Sequence, residues 1–161
     1  MTSCERIQDE LLVIRCKAGE PEAFDGLVER WQERLRRYAY NMVGEEDAAW
    51  DAVQETWVAV VNGIKRLGDV KSFPKWAYRV LSNKCADLIR TRQRQRRTET
   101  EAEDQTSPMG SDASDALNVA LVRLPGEMRA LLSLCYTDEY SVGEVAEILG
   151  IPEGHGEVEA A

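Results

Sequence analysis

The stretch KSFPKWAYRVLSNKCADLIRTRQRQRR, residues 71–97, decides how this chain is read. It carries nine Lys or Arg side chains (71, 75, 79, 84, 90, 92, 94, 96 and 97) against one acid, Asp87, a local charge of +8. The whole chain is −9, so the remaining residues carry −17. Charge segregated in this way marks a surface for phosphate even in an acidic protein, because the ligand meets the local field and not the overall pI. Phe73, Trp76, Ala77, Val80, Leu81, Cys85, Leu88 and Ile89 recur at spacings of three and four, which predicts an amphipathic helix with its cations largely off the apolar stripe. Ser72 is placed to cap that helix, and Pro74 lies where a first turn tolerates proline. A helix with one apolar face, one cationic face and aromatics at its start is a candidate nucleic-acid reader. Core packing is the plainer reading of Phe73 and Trp76, and it does not exclude DNA contact.

Three helices are predicted on the N-terminal side. Residues 5–18 place Ile7, Leu11, Leu12 and Ile14 as apolar positions, with Gly19 as the stop and Pro21 opening the next helix. Residues 21–43 form a long amphipathic helix through Phe24, Leu27, Val28, Trp31, Leu35, Tyr38, Ala39 and Met42, broken by Gly44. Residues 46–66 carry Ala49, Ala52, Val53, Trp57, Val60 and Ile64 on one stripe. On the C-terminal side, residues 98–116 hold six acids and no base among Ser, Thr, Gly and Pro, the composition of a solvated linker between domains. Residues 117–149 then predict further short helices, broken by Pro125, with Ser141 capping VGEVAEIL and Gly150 stopping it. This is the first part of a helix-turn-helix layout. The fold class expected is all-α, without strands or repeats.

Composition excludes several functions. No run of 18 apolar residues predicts a membrane span, and no basic segment followed by an apolar one marks an export signal, so a cytoplasmic protein is expected. Cys4, Cys16, Cys85 and Cys135 form no CxxC pair, which argues for reduced thiols and against a zinc site. The single histidine, His155, lies in a Gly/Glu-rich tail. With no Gly-rich phosphate loop and no metal-spaced cluster, neither an enzyme nor a cofactor is expected.

Four stretches together resemble a known family, the bacterial RNA polymerase sigma factors of the sigma-70 type, extracytoplasmic-function (ECF) group. AGEPEAFDGLVERW (18–31) resembles the start of its first conserved block. WDAVQETWVAV (50–60) resembles its D-x-x-Q-E-T-[FW] helix, and FPKWAYRVLSNKCADLIRTRQR (73–94) its block with W-x-x-R and N-x-x-x-D-x-x-R spacing. LPGEMRALLSLCYTDEYSVGEVAEILGIPEG (124–154) resembles the start of the second domain. The resemblance implies a four-helix sigma-2-type domain over 1–97, an acidic flexible linker over 98–116 and an incomplete sigma-4-type helix-turn-helix domain over 117–161. It implies that Asp51, Gln54 and Glu55 dock on the β′ clamp helices of core polymerase. It assigns Lys71, Ser72, Phe73, Lys75, Trp76, Arg79 and Asn83 to the melted −10 promoter element, and Arg90, Arg92, Arg94, Arg96 and Arg97 to phosphates. Expected partners are core RNA polymerase, promoter DNA and an anti-sigma factor. Asp87 is expected to pair with Arg34 or Arg37, and Trp57 to pack inward.

The chain departs from the family after Gly154. Where the family opens a −35-reading helix with G-T-V-K-S-R-L, this sequence continues HGEVEAA, with two glutamates and no Lys or Arg. One synonymous coding of this tail yields the family continuation when a single guanine is removed, so a frameshift or a truncated second domain is expected. The predicted function is polymerase binding and −10-directed initiation with −35 reading impaired. The alternative is an interaction protein that occupies polymerase or an anti-sigma factor without starting transcription.

Overall fold

The computed structural model describes residues 2–98, 126–136 and 138–149, and among these residues it is all-helical. The elements are α1 (Ser3–Lys17), α2 (Pro21–Val43), α3 (Glu46–Gly63), α4 (Phe73–Thr98), α5 (Gly126–Tyr136) and α6 (Val142–Leu149). Two 3-10 turns, Ile64–Arg66 and Val70–Ser72, connect α3 to α4. The expected linker, the helix over 117–124 and the tail after Leu149 lie outside the described residues.

Local chemistry sets the helix ends. The Thr2 hydroxyl accepts from the Glu5 N–H while the Glu5 carboxylate accepts from the Thr2 N–H at 2.7 Å, a reciprocal capping box. At the other end of α1, Gly19 adopts φ +87°, its N–H donates to the Cys16 carbonyl, and the Glu20 N–H donates to that of Arg15. This Schellman closure satisfies two orphan carbonyls and needs a residue tolerant of positive φ. Pro21 then opens α2. The expected third helix ends three residues early, at Gly63, and its last residues tighten into a 3-10 turn.

The core is built on α2. Leu27, Trp31, Leu35 and Tyr38 are buried, and Ala49, Ala52, Val53 and Val60 of α3 and Phe73, Ala77, Tyr78 and Leu81 of α4 close over them. Trp57 is buried as expected, edge-on to Phe24 at 5.8 Å between ring centres. The expected apolar positions of α1 are corrected in part: Leu12 packs against the core, but Ile7, Leu11 and Ile14 are 64%, 54% and 51% exposed. The inward face instead carries Asp9, Val13 and Cys16, because the Asp9 carboxylate is held by Arg30 Nε of α2 at 2.6 Å. That partner makes burial of an acid tolerable, and it rotates the helix.

The second helical unit shares this core. α5 packs on α2 and α6 on α4, and Ala130, Leu134, Val145 and Ile148 are buried in the contact. Asn41 Nδ2 donates to Ser133 Oγ at 3.1 Å, Arg129 to the Met42 carbonyl at 2.7 Å, and the Tyr78 hydroxyl to Asp138 at 2.8 Å. Burial pushes the Asp138 carboxyl above its ordinary range, against the Tyr78 hydrogen bond, which pulls it down.

One polar knot lies inside the first unit. Ser82 Oγ donates to the Tyr78 carbonyl at 2.7 Å, and Tyr38 Oη lies 2.6 Å from Ser82 Oγ. Ser82 has one proton, so Tyr38 is the donor to it. Ser82→Ala strands a buried phenol and is expected to cost about 1–3 kcal/mol in urea unfolding. Adding Tyr38→Phe removes the stranded group, so the double variant should recover part of that loss. A double variant that is less stable than Ser82→Ala alone would contradict the assignment.

Candidate nucleic-acid interface

The start of α4 is set by Asp69. Its carboxylate accepts from the Lys71 N–H at 3.0 Å, and its carbonyl accepts from the Ser72 N–H at 3.0 Å and from Ser72 Oγ at 2.5 Å. Ser72 is therefore not the cap of α4: its hydroxyl turns back into the preceding turn. The Phe73 N–H continues the 3-10 ladder to the Val70 carbonyl. Lys71 is exposed and Ser72 half-buried.

Phe73 and Trp76 behave differently. Phe73 is fully buried, edge-on to Trp31 at 5.9 Å, so it offers no face to a base and serves to fix the helix start. Trp76 is half-buried, 6.2 Å from Phe73, with its ring over Gly63. A Cβ at Gly63 would stand 2.9 Å from Trp76 Cζ2, so the absence of a side chain there makes room for the indole.

Beyond Trp76, helical geometry sorts the polar residues. At about 100° per residue, Lys75, Arg79, Asn83, Arg90, Arg94 and Arg97 fall within an arc of roughly 100° along α4. Arg79, Asn83, Arg90, Arg94 and Arg97 are exposed, and Lys75 is half-buried. Arg92 lies off this stripe. It donates to the Val43 carbonyl at 3.3 Å and pairs with Glu45, so it ties α4 to the end of α2 and is not presented with the others. Arg96 is exposed but lies outside the arc as well. Asp87 is a further correction: it pairs with Arg90 at 2.6 Å, one turn along its own helix, while Arg34 lies over the Trp31 ring at 5.2 Å. An i,i+3 partner is already in reach without any tertiary contact, and so it wins.

Two features escaped the sequence reading. Tyr78 is fully buried and touches Trp31, Tyr38 and Tyr140 edge-on at 5.9, 5.2 and 5.9 Å. Its position beside Ala77 and Leu81 was the available signal, since a slightly wider apolar arc includes it. The second is Lys75, whose ammonium lies 3.3 Å from Glu147 and 4.0 Å from Glu144 of α6.

A separate face is formed by α3. Asp51, Gln54 and Glu55 are exposed on one side, and Val58 and Val61 continue that side at 61% and 53% exposure. No ion pair engages Asp51 or Glu55 among the described residues, so both carboxylates are available to a cationic partner. Among the same residues no helix is long and apolar enough to cross a membrane.

Comparison with known proteins is consistent along the chain. The family model for Sigma-70 region 2 matches residues 27–95, and that for Sigma-70, region 4 matches residues 114–155. The ECF RNA polymerase sigma factor SigW of Bacillus subtilis is 25% identical over 155 residues, spanning 86% of this chain and 83% of its own. SigM of Mycobacterium tuberculosis is 29% identical over 154 residues, spanning 93% and 77%. The solved structure of CnrH in complex with the cytosolic domain of CnrY shares the fold, with a TM-score of 0.65 at 23% identity over 90% of this chain and 84% of that one.

The sorting of the arginines is testable. Arg94→Ala should reduce the log–log salt slope of DNA binding by about 0.7–0.9, the loss of one phosphate contact. Arg92→Ala should leave that slope unchanged and lower unfolding stability by at most about 1 kcal/mol, as expected for a partly exposed pair. Equal effects of both variants on the slope would refute the stripe.

Proposed function

This chain belongs to the ECF group of sigma-70 family sigma factors, which direct transcription initiation, and from that premise we propose how its helices divide the work. Residues 1–97 act as the polymerase-docking and −10-reading domain, 98–116 as a linker, and 117–161 as the sigma-4-type domain. The exposed side of α3, with Asp51, Gln54 and Glu55, docks on the β′ clamp helices of core RNA polymerase. The start of α4 receives the melted −10 strand.

The observation that carries this reading is the stripe of half-buried Lys75 and exposed Arg79 and Asn83, with the half-buried Trp76 beside it at the helix start. A splayed base needs a flat partner and a group that reads its edge. Trp76 supplies the first, at ~1–3 kcal/mol per stacked base, and the Asn83 amide supplies the second. Lys71, Ser72, Lys75 and Arg79 hold the strand by its backbone. Phe73 acts from below, by keeping Trp76 and the turn in place. Arg90, Arg94 and Arg97 extend the phosphate track without reading sequence, Arg96 adds positive charge from beside it, and Arg92 contributes indirectly by anchoring the helix.

Residues 155–161 hold two glutamates and no Lys or Arg, so we infer that this stretch itself adds no phosphate contact and that −35 reading through it is impaired. The same residues favour a second reading, in which the chain occupies polymerase or an anti-sigma factor without initiating. By analogy with CnrH, whose structure was solved with the cytosolic domain of CnrY, a polypeptide partner of that kind is proposed here too. Run-off transcription with core polymerase separates the two readings, because the non-initiating chain binds but gives no transcript.

Trp76→Ala and Asn83→Ala should each weaken binding to a −10 single strand roughly five- to hundredfold while leaving core polymerase binding unchanged. Glu55→Lys should do the reverse, abolishing polymerase binding and sparing the DNA contact. If Asn83→Ala and Glu55→Lys impair both activities alike, the two faces are not separate and the assignment is wrong.

A further inference from the structure

We propose that the solvent side of α1 is a self-association seam, through which two copies of this chain pair as a short parallel coiled coil, with Leu11 of one copy against Leu11 of the other. None of the seam residues belongs to the proposed DNA or polymerase surfaces.

α1 has two opposite sides. Its inward side holds Asp9, Val13 and Cys16, all buried. At about 100° per residue, Cys4, Ile7, Leu11 and Ile14 fall within an arc of roughly 80° on the opposite side. All four are exposed. A row of large aliphatic side chains on the solvent side adds nothing to the core, and what it can bury against is another molecule. The intervals along the row are three, four and three residues, the a–d alternation of a coiled-coil seam, whose partner is a second helix. Charge selects a second copy of this chain and its direction. With Cys4 and Leu11 at a and Ile7 and Ile14 at d, Glu10 falls at g and Arg15 at e, on the two flanks of the seam. In a parallel pair each g residue meets the e residue five positions on in the other helix, so Glu10 meets Arg15 twice, a contact the two cannot make within one helix. An antiparallel pair with the same four layers would set Glu10 of one copy beside Glu10 of the other. Arg15 gives its Nε to Glu20 at 2.7 Å, which leaves its other guanidinium donors for the incoming carboxylate. α1 also needs no partner in order to form: the Thr2–Glu5 capping box, the closure at Gly19 and the Arg30 grip on Asp9 already hold it. Pairing therefore costs no helix nucleation. The seam is short, which places the dimer among weak, concentration-dependent ones.

In sedimentation equilibrium the full chain should show a mass that rises with concentration toward that of a dimer. Leu11→Lys changes an exposed residue, so the variant should fold normally and keep the monomer mass over the same series. Glu10→Arg should weaken association about five- to thirtyfold at low salt, and adding Arg15→Glu should restore it. A cross-link reads the direction. In the chain carrying Cys135→Ser, Cys4 is the exposed thiol that remains, Cys16 and Cys85 being buried. Diamide, which takes up the two thiol hydrogens as the S–S bond forms, should then give a covalent dimer, and Leu11→Lys should suppress it. A wild-type chain that stays monomeric up to roughly 1 mM, or a Leu11→Lys chain that associates as the wild type does, overturns the proposal. Dimers that form without a Cys4 cross-link also overturn it, as does a Glu10→Arg variant without effect or without rescue by Arg15→Glu, because each contradicts the parallel seam.

Discussion

A buried tyrosine hydroxyl must be given a partner, and the rest of this structure depends on how Tyr78 meets that demand. Its ring is fully buried and packed edge-on against Trp31, Tyr38 and Tyr140. An unpaired hydroxyl there would cost about 1–3 kcal/mol. The partner, Asp138, comes from the segment between α5 and α6 and not from the four-helix unit that buries the ring. Burial of the Asp138 carboxyl in turn is eased by the Tyr78 proton, and burial pushes the pKa of both groups above its ordinary value. Each unit thus completes a polar requirement of the other.

The helices were legible in the sequence because their signals are local. Gly19, Pro21 and Gly44 punctuate the chain where their backbone preferences demand, and the spacing of Leu27, Trp31, Leu35 and Tyr38 gave the buried side of α2 correctly. What was not legible depended on tertiary partners. The apolar count on α1 pointed to Ile7, Leu11 and Ile14, and no local rule shows that Arg30, in the next helix, would draw Asp9 inward and turn those side chains to solvent. Arg92 looks identical to its neighbours in sequence. It differs only because the end of α2 supplies Glu45 and a free carbonyl at Val43. Asp87 erred in the opposite direction: a distant partner was expected where Arg90 already sat one turn away. For the candidate site, residue types were readable, but exposure was not. Phe73 and Trp76 are both aromatic and three apart, yet one is sealed beneath Trp31 and the other is held half-open.

Charge segregation explains how a chain of net charge −9 can carry a DNA surface. Five of the eight cations of α4 (Lys75, Arg79, Arg90, Arg94 and Arg97) lie within one arc, so their fields add along one side of the helix. Concentrating like charge on one helix is unfavourable to folding, and the structure relieves it at three points: Asp87 beside Arg90, Glu45 beside Arg92, and Glu147 beside Lys75. The first two lie within or beside the first unit and leave the arc accessible. The third comes from α6 and stands at the end of the arc where Trp76 lies.

Trp76 shows why that end matters most. A stacking side chain that is free in solution loses rotamer freedom when a base lands on it, and that loss comes out of the binding energy. Here the indole is already confined, by the space over Gly63 on one side and by Phe73 on the other. Phe73 is in turn fixed by Trp31, deep in the α2 core. The order of the Trp76 surface is therefore inherited from the core, whereas Arg94 and Arg97 project from an exposed stretch of α4. On the proposed reading, sequence choice belongs at this rigid end of α4 and general affinity at the other.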